Sequence, residues 1–175
     1  WVDHIDEFSK FLSSGPHATQ SGDVYANLLI GNFLSNGSNP LIRADALTEV
    51  GGFDESLTHA EDWNMWIRLA ACYHFIAVPS LHVLYRVSAN SASCNLYKME
   101  ADSLRVIQRA YSQAPESLQH LKKETLGFLY KYLINKAFEV LPEQQKGRKA
   151  VQLLWRYIIN DCSRYRLVRF KLSLL

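Results

Sequence analysis

Glu61 and Asp62 stand side by side in the run G-G-F-D-E-S-L-T-H-A-E-D-W-N-M-W-I-R, residues 51 to 68. A carboxylate held in the first turn of a helix can take a proton from a hydroxyl as a general base. The neighbouring residues predict that placement. Thr58 and Glu61 have the S/T-x-x-E spacing of a capping box, with Thr58 as N-cap and Glu61 reaching back to it. Asp62 then lies one residue further on, beside the partial positive charge of the helix start, which favours the ionised form. Trp63, Trp66, Ile67 and Ala70 recur at helical spacing and can anchor the helix in a core. A plainer reading stands beside this one, because a first-turn acid is commonly only a cap or a solvated side chain.

The elements around this run can be read from pattern and punctuation. Residues 1–12 suit the end of a strand and a second short strand. Residues 13–22, S-S-G-P-H-A-T-Q-S-G, are turn formers and read as an exposed loop that carries His17. A helix is expected over 23–33, a tight loop over 35–40, an extended piece at 41–43 and a short helix over 44–50. Gly51 suits the C′ position of that helix, where the left-handed region costs glycine little. Phe53 is expected to plug the core, and Asp54 to cap its own turn. The helix with the carboxylates is expected over 58–73, with Cys72 as a small core residue at its end. Two strands, 74–78 and 81–87, follow on either side of Pro79-Ser80, and they carry His74 and His82. Beyond a loop at 88–93 the pattern is helical over 95–113, 116–141 and 143–160, each of the last two starting beside a proline.

Composition sets bounds. The chain has 175 residues, 48% of them apolar, which supports a sizeable core. No apolar run approaches the roughly 20 residues needed to span a bilayer. Cys72, Cys94 and Cys162 are odd in number and far apart, and they form neither a metal-ligand pattern nor a disulfide framework. That favours a reducing, cytoplasmic setting. Charge is unevenly spread: residues 144–175 carry a local charge of about +7 and the rest about −5, for a net +2. Arginines and aromatics interleave in W-R-Y and R-Y-R-L-V-R-F-K. Without a recognised nucleic-acid motif, this pattern suits anionic lipid better than nucleic acid. Trp155, Tyr157, Ile158, Leu167, Val168 and Phe170 are the residues expected to dip into the interface. The competing expectation is a basic helix packed on protein.

Taken in order, G-S-N-P-L-I-R-A-D-A-L-T-E-V-G-G-F-D-E-S-L (37–57), A-E-D-W-N-M-W-I-R-L-A (60–70) and V-L-Y-R-V-S-A-N-S-A-S (83–93) resemble family 2 glycosyltransferases. The resemblance spans about residues 22 to 93. It implies an α/β fold: the C-terminal, acceptor-side half of a GT-A (nucleotide-diphospho-sugar transferase) domain over 1–94, followed by a helical extension over 95–175 with a basic tail. By resemblance Asp62 is the catalytic base of an inverting sugar transfer. Glu61, Gly37, Ser38, Asn39, Trp63 and Arg86 would then contact substrate, with Gly37, Ser38 and Asn39 against the donor sugar. Family members carry a D-x-D metal site in a preceding nucleotide-binding half, and this chain has no D-x-D. The resemblance therefore implies a nucleotide-sugar donor and an Mn²⁺ or Mg²⁺ ion held by that other half, with no metal ligand here. It also implies a glycan or lipid-linked acceptor, a location at the inner face of the membrane, and little activity for this chain alone. Where many members have a histidine two residues past Y-R, this chain has Ser88, so Arg86 either contacts phosphate or simply ends an edge strand. The alternatives are a non-catalytic interaction module derived from a transferase and a basic module that binds membrane surfaces.

Overall fold

The computed structural model describes residues 1–88 and 95–160. Three short strands form one sheet in the order β2-β1-β3. The central strand β1 (Val2–Ile5) pairs antiparallel with β2 (Phe11–Ser14), His4 opposite Ser13, with an irregularity between His4 and Ile5. It pairs parallel with β3 (Val83–Arg86), from Val2 opposite Val83 to Ile5 opposite Arg86. The turn between β1 and β2 is built by Asp6, whose Oδ1 accepts from the amides of Phe8 at 2.9 Å and Lys10 at 2.8 Å. A parallel pair needs a long crossover, and this one carries the helices α1 (Tyr25–Ile30), α2 (Ala44–Glu49) and α3 (Glu61–Ala70).

Three longer helices follow: α4 (Leu96–Gln113), α5 (Lys122–Val140) and α6 (Glu143–Asn160). The helix expected over 116–141 is divided, because Glu116–Leu121 winds as a 3-10 segment before α5 begins. Gln119 explains the break. Its side-chain amide donates to the carbonyls of Tyr111 at 2.9 Å and Ala114 at 2.8 Å, so this segment closes the end of α4. Of the two strands expected over 74–87, only β3 forms. The earlier stretch makes a single bridge, Phe75 to Gly22, and runs on as coil.

One core joins both parts of the chain. Leu28 and Leu29 of α1, Met65 and Trp66 of α3, Val106 of α4, Leu133 and Ile134 of α5 and Leu153 of α6 are all essentially without exposure and belong to one cluster. Thr125 ties α5 to α1 inside it: its hydroxyl bonds the Leu29 carbonyl at 2.9 Å and meets the Tyr111 hydroxyl at 2.6 Å. The change of element type near residue 95 is therefore not a break in the core.

Several side chains differ from expectation. Phe53 is 46% exposed and meets Trp66 only edge-on, at 6.2 Å. Cys72 lies past the end of α3 and is exposed. Gly51, with φ +87°, and Asp54, whose Oδ1 accepts from the Ser56 amide at 2.9 Å, behave as expected. In α6, Lys149 is buried, with its ammonium 3.5 Å from the carboxylate of the buried Glu100 of α4, and Arg156 bonds the same carboxylate. Tyr157 is buried as well, whereas Trp155 is 65% exposed. Lys149 and Arg156 are thus engaged within the protein, and Tyr157 faces the core instead of lipid. Leu167, Val168 and Phe170 lie outside the described residues. No helix among the described residues is long and apolar enough to cross a membrane.

Candidate active site

Asp62 lies in the first turn of α3, but the helix starts differently from the capping-box expectation. The N-cap is Ala60, in the left-handed region at φ 59°, and it makes no side-chain cap bond. That conformation disfavours a residue with a Cβ, so the chain around it has to hold it. The clamp comes from α4. Asp102, buried, accepts from the Thr58 amide at 3.1 Å, the Thr58 hydroxyl at 3.1 Å and the His59 amide at 3.2 Å. Thr58 is therefore tied to α4 and does not cap α3. Burial raises the pKa of the Asp102 carboxyl, but the Thr58 and His59 hydrogen bonds and the Arg105 charge outweigh it, and the net shift is downward. Asp102 is ionised where it receives those donors.

The far side of α3 is anchored equally firmly. Trp63 is buried, and its indole N–H donates to the Leu28 carbonyl at 2.7 Å. Arg68 donates to the carbonyls of Val50 at 2.5 Å and Gly52 at 2.6 Å, and to Asn64 Oδ1 at 3.0 Å. The arginine of E-D-W-N-M-W-I-R thus braces the G-G turn, and the tryptophan after the acid pair fixes α3 on α1.

With the helix held at both ends, Asp62 is partly buried. Its Oδ1 accepts from the Trp63 amide at 2.6 Å, and its Oδ2 lies 3.4 Å from the Asn32 side-chain amide. Asn32 is itself oriented by the Leu34 amide, which donates to its Oδ1 at 3.2 Å. Burial pushes the Asp62 carboxyl above the ordinary carboxylate range, and the Glu61 charge adds to the rise; the hydrogen bonds from the Trp63 amide and Asn32 oppose it without cancelling it. The helix start therefore does not win over desolvation here. A higher proton affinity suits a base, since efficiency improves as the pKa nears the working pH.

A cleft of about 890 Å³ opens in front of this carboxylate. Glu61, Asp62, Gly37 and Ser38 all line it, with Asn32 and Asn36. Gly37 comes close to the base: a Cβ there would lie 3.7 Å from Asp62 Cβ. The loop is stiffened by its own amides, with Asn36 Oδ1 accepting from the Ser38 amide at 3.0 Å and Asn39 donating to the Leu34 carbonyl at 3.0 Å. Asn39 supports this rim and does not line the cleft. Arg86 is elsewhere. Its guanidinium donates to the carbonyls of Asp6 at 2.8 Å and Glu7 at 3.0 Å, so it closes the β1–β2 turn and ends the edge strand. His17 is exposed, stacks on Trp1 at 4.3 Å and contributes to the rim.

The opposite wall comes from residues the sequence did not single out: Phe128, Leu129 and Tyr132 of α5, with Met99 and Ser103 of α4. Their only sequence signal is the F-x-x-x-Y spacing of 128 and 132, which looks like any helix face. Among the described residues no group of three or more His, Cys, Asp or Glu gathers in a way that could hold a metal ion.

No curated protein and no solved structure matches the chain. A family model does, that of the glycosyltransferase like family 2, over residues 1–140. The match takes in α4 and α5 together with the stretch around Asp62, the same elements that enclose the cleft. The chain belongs to the glycosyltransferase like family 2.

Proposed function

We propose that this chain forms the acceptor side of an inverting sugar transferase, with Asp62 as the general base. The observation that carries the reading is a partly buried carboxylate of raised proton affinity, held at a helix start by two independent anchors and facing a large cleft. In the proposed step the acceptor hydroxyl attacks the anomeric carbon of a nucleotide-sugar. A carbon–oxygen bond forms as the bond to the nucleotide diphosphate breaks, the diphosphate departs with the electron pair, and the hydroxyl proton passes to Asp62. Glu61 lines the cleft and orients the acceptor. The α/β arrangement is read as the C-terminal part of a GT-A fold. The donor's diphosphate and any divalent cation with it are assigned to residues outside the described cleft, because none of the cleft's lining residues is Lys or Arg.

The test is Asp62→Asn in the enzyme that carries this chain together with its donor site. General-base assistance is worth ~10²–10⁴-fold, so sugar transfer is expected to fall by that factor while nucleotide-sugar binding stays unchanged. Transfer at the wild-type rate would remove Asp62 from the role.

A further inference from the structure

Phe128 and Tyr132 are half-exposed aromatics whose exposed sides face the cleft in front of Asp62. They lie one helical turn apart on α5, about 6 Å along its axis. The ring of Phe128 is seated against α1. A Cβ built on Gly31 would fall 2.5 to 2.9 Å from three of its ring carbons, so any larger residue at 31 would displace the ring. Tyr132 lines the same cleft as Asp62; burial raises its hydroxyl pKa most, and the charges of Glu139 and Asp62 add to this against the opposing effect of Lys136. Around the two rings the lining holds the carboxylates of Glu61 and Asp62, the imidazoles of His17 and His59, and uncharged polar side chains such as Thr19, Gln20, Asn32 and Asn36.

That combination selects for a particular chemistry. A pyranose presents one face of C–H bonds, which packs on the negative face of an aromatic ring, and an edge of hydroxyls, which bonds amides and alcohols. A phosphate or a carboxylate would instead face the carboxylates of Glu61 and Asp62 with no Lys or Arg in the lining to offset them. We propose that Phe128 and Tyr132 are the platform on which a neutral sugar ring of the acceptor stacks, presenting its hydroxyl to Asp62. The proposal rests on the transferase reading for the role of Asp62 but not for the binding of the sugar. It makes α5 the element that selects the acceptor.

The experiment is saturation-transfer NMR on the 175-residue chain with methyl pyranosides of glucose, galactose, mannose and N-acetylglucosamine, and with glucose 1-phosphate as the anionic counterpart. At least one neutral pyranoside is expected to receive saturation on the C–H protons of one face, and glucose 1-phosphate to bind less well. Tyr132→Ala and Phe128→Ala are each expected to weaken Kd about tenfold, which is about 1.4 kcal/mol, while the conservative Tyr132→Phe, which keeps the ring, restores binding. Thermal melts identify any variant that has not folded, and Tyr132→Phe and Tyr132→Ala are read as a pair if Phe128→Ala is lost. Unchanged binding in Tyr132→Ala, no saturation of any neutral pyranoside, or a preference for the phosphate would overturn the platform. Loss of transfer in Asp62→Asn with unchanged binding in Tyr132→Ala would remove the platform and leave the transferase reading. The reverse pattern would remove the base and leave the platform.

Discussion

At the scale of single residues the structure turns on two carboxylates with opposite settings. Asp102 is met by four donors, the Thr58 amide and hydroxyl, the His59 amide and the Arg105 guanidinium, and is held below the usual carboxylate range; Asp62 is met by two and is pushed above it by burial. The sign of the second shift makes a stability prediction. A carboxyl whose folded pKa is raised favours the folded state while it is protonated, below its ordinary value, and that advantage is lost as pH rises through the raised value. Asp62→Asn, which cannot ionise, should therefore melt at a higher temperature than the wild type near about pH 7, with the gap closing by about pH 3 as Asp62 becomes protonated. Thermal melts across that range read the effect directly. A variant less stable than the wild type at neutral pH would mean that the helix start, and not desolvation, controls this carboxyl.

At the scale of elements the packing of α6 on α4 depends on a buried charge cluster. Glu100 and Lys149 are each less than a tenth exposed, and Arg156 closes the cluster from a half-open position. Removing one partner of a buried pair leaves the other charge uncompensated, whereas replacing both by apolar residues is often neutral. Glu100→Ala should accordingly cost about 3–5 kcal/mol in denaturant unfolding. Glu100→Leu combined with Lys149→Met should recover most of that loss, since coupled neighbours are not additive. If the double variant is as unstable as the single one, Arg156 and not Lys149 is the dominant partner. Tyr97, whose ring lies 4.1 Å from the Lys149 ammonium, contributes a cation–π contact to the same cluster. Lys149 and Arg156, two basic residues of the C-terminal stretch, are thus engaged by Glu100 inside the protein.

At the scale of the whole molecule the cleft is assembled from distant parts of the chain: the 16–20 loop, the 32–38 loop, the start of α3, and the sides of α4 and α5. Its lining contains acids, amides, alcohols, aromatics and two histidines, His17 and His59, but no Lys or Arg. A nucleotide diphosphate carries several negative charges and needs either cations or a metal, since an unpaired charge is expensive to desolvate. Calorimetry of this chain with UDP-, GDP- and dTDP-sugars in the presence of Mn²⁺ should show no tight binding. A dissociation constant on the order of micromolar, about −8 kcal/mol, would reveal a donor site that the described cleft does not contain.

The sequence by itself carried the local chemistry. The E-D-W-N-M-W-I-R run placed Asp62 in a first helical turn, because an acid before an apolar stripe of helical period has few other ways to fold, and Trp63, Trp66, Ile67 and Ala70 are indeed buried. G-G after a short helix placed the turn at Gly51, since left-handed backbone has a composition that can be read. Tertiary structure decided everything that depends on a partner far along the chain. Thr58 read as a cap because S/T-x-x-E is a local pattern, yet Asp102, 44 residues away, takes its hydroxyl. Arg86 read as a phosphate contact because guanidinium suits phosphate, yet the β1–β2 turn, about 80 residues earlier, offers it carbonyls at hydrogen-bonding distance. Phe128 and Tyr132 carried no signal, because an aromatic on a helix declares its face only once the helix has a neighbour. Desolvation reversed the expected direction of the Asp62 pKa shift for the same reason: how much water a carboxylate loses is set by what folds over it, and no spacing in the chain records that.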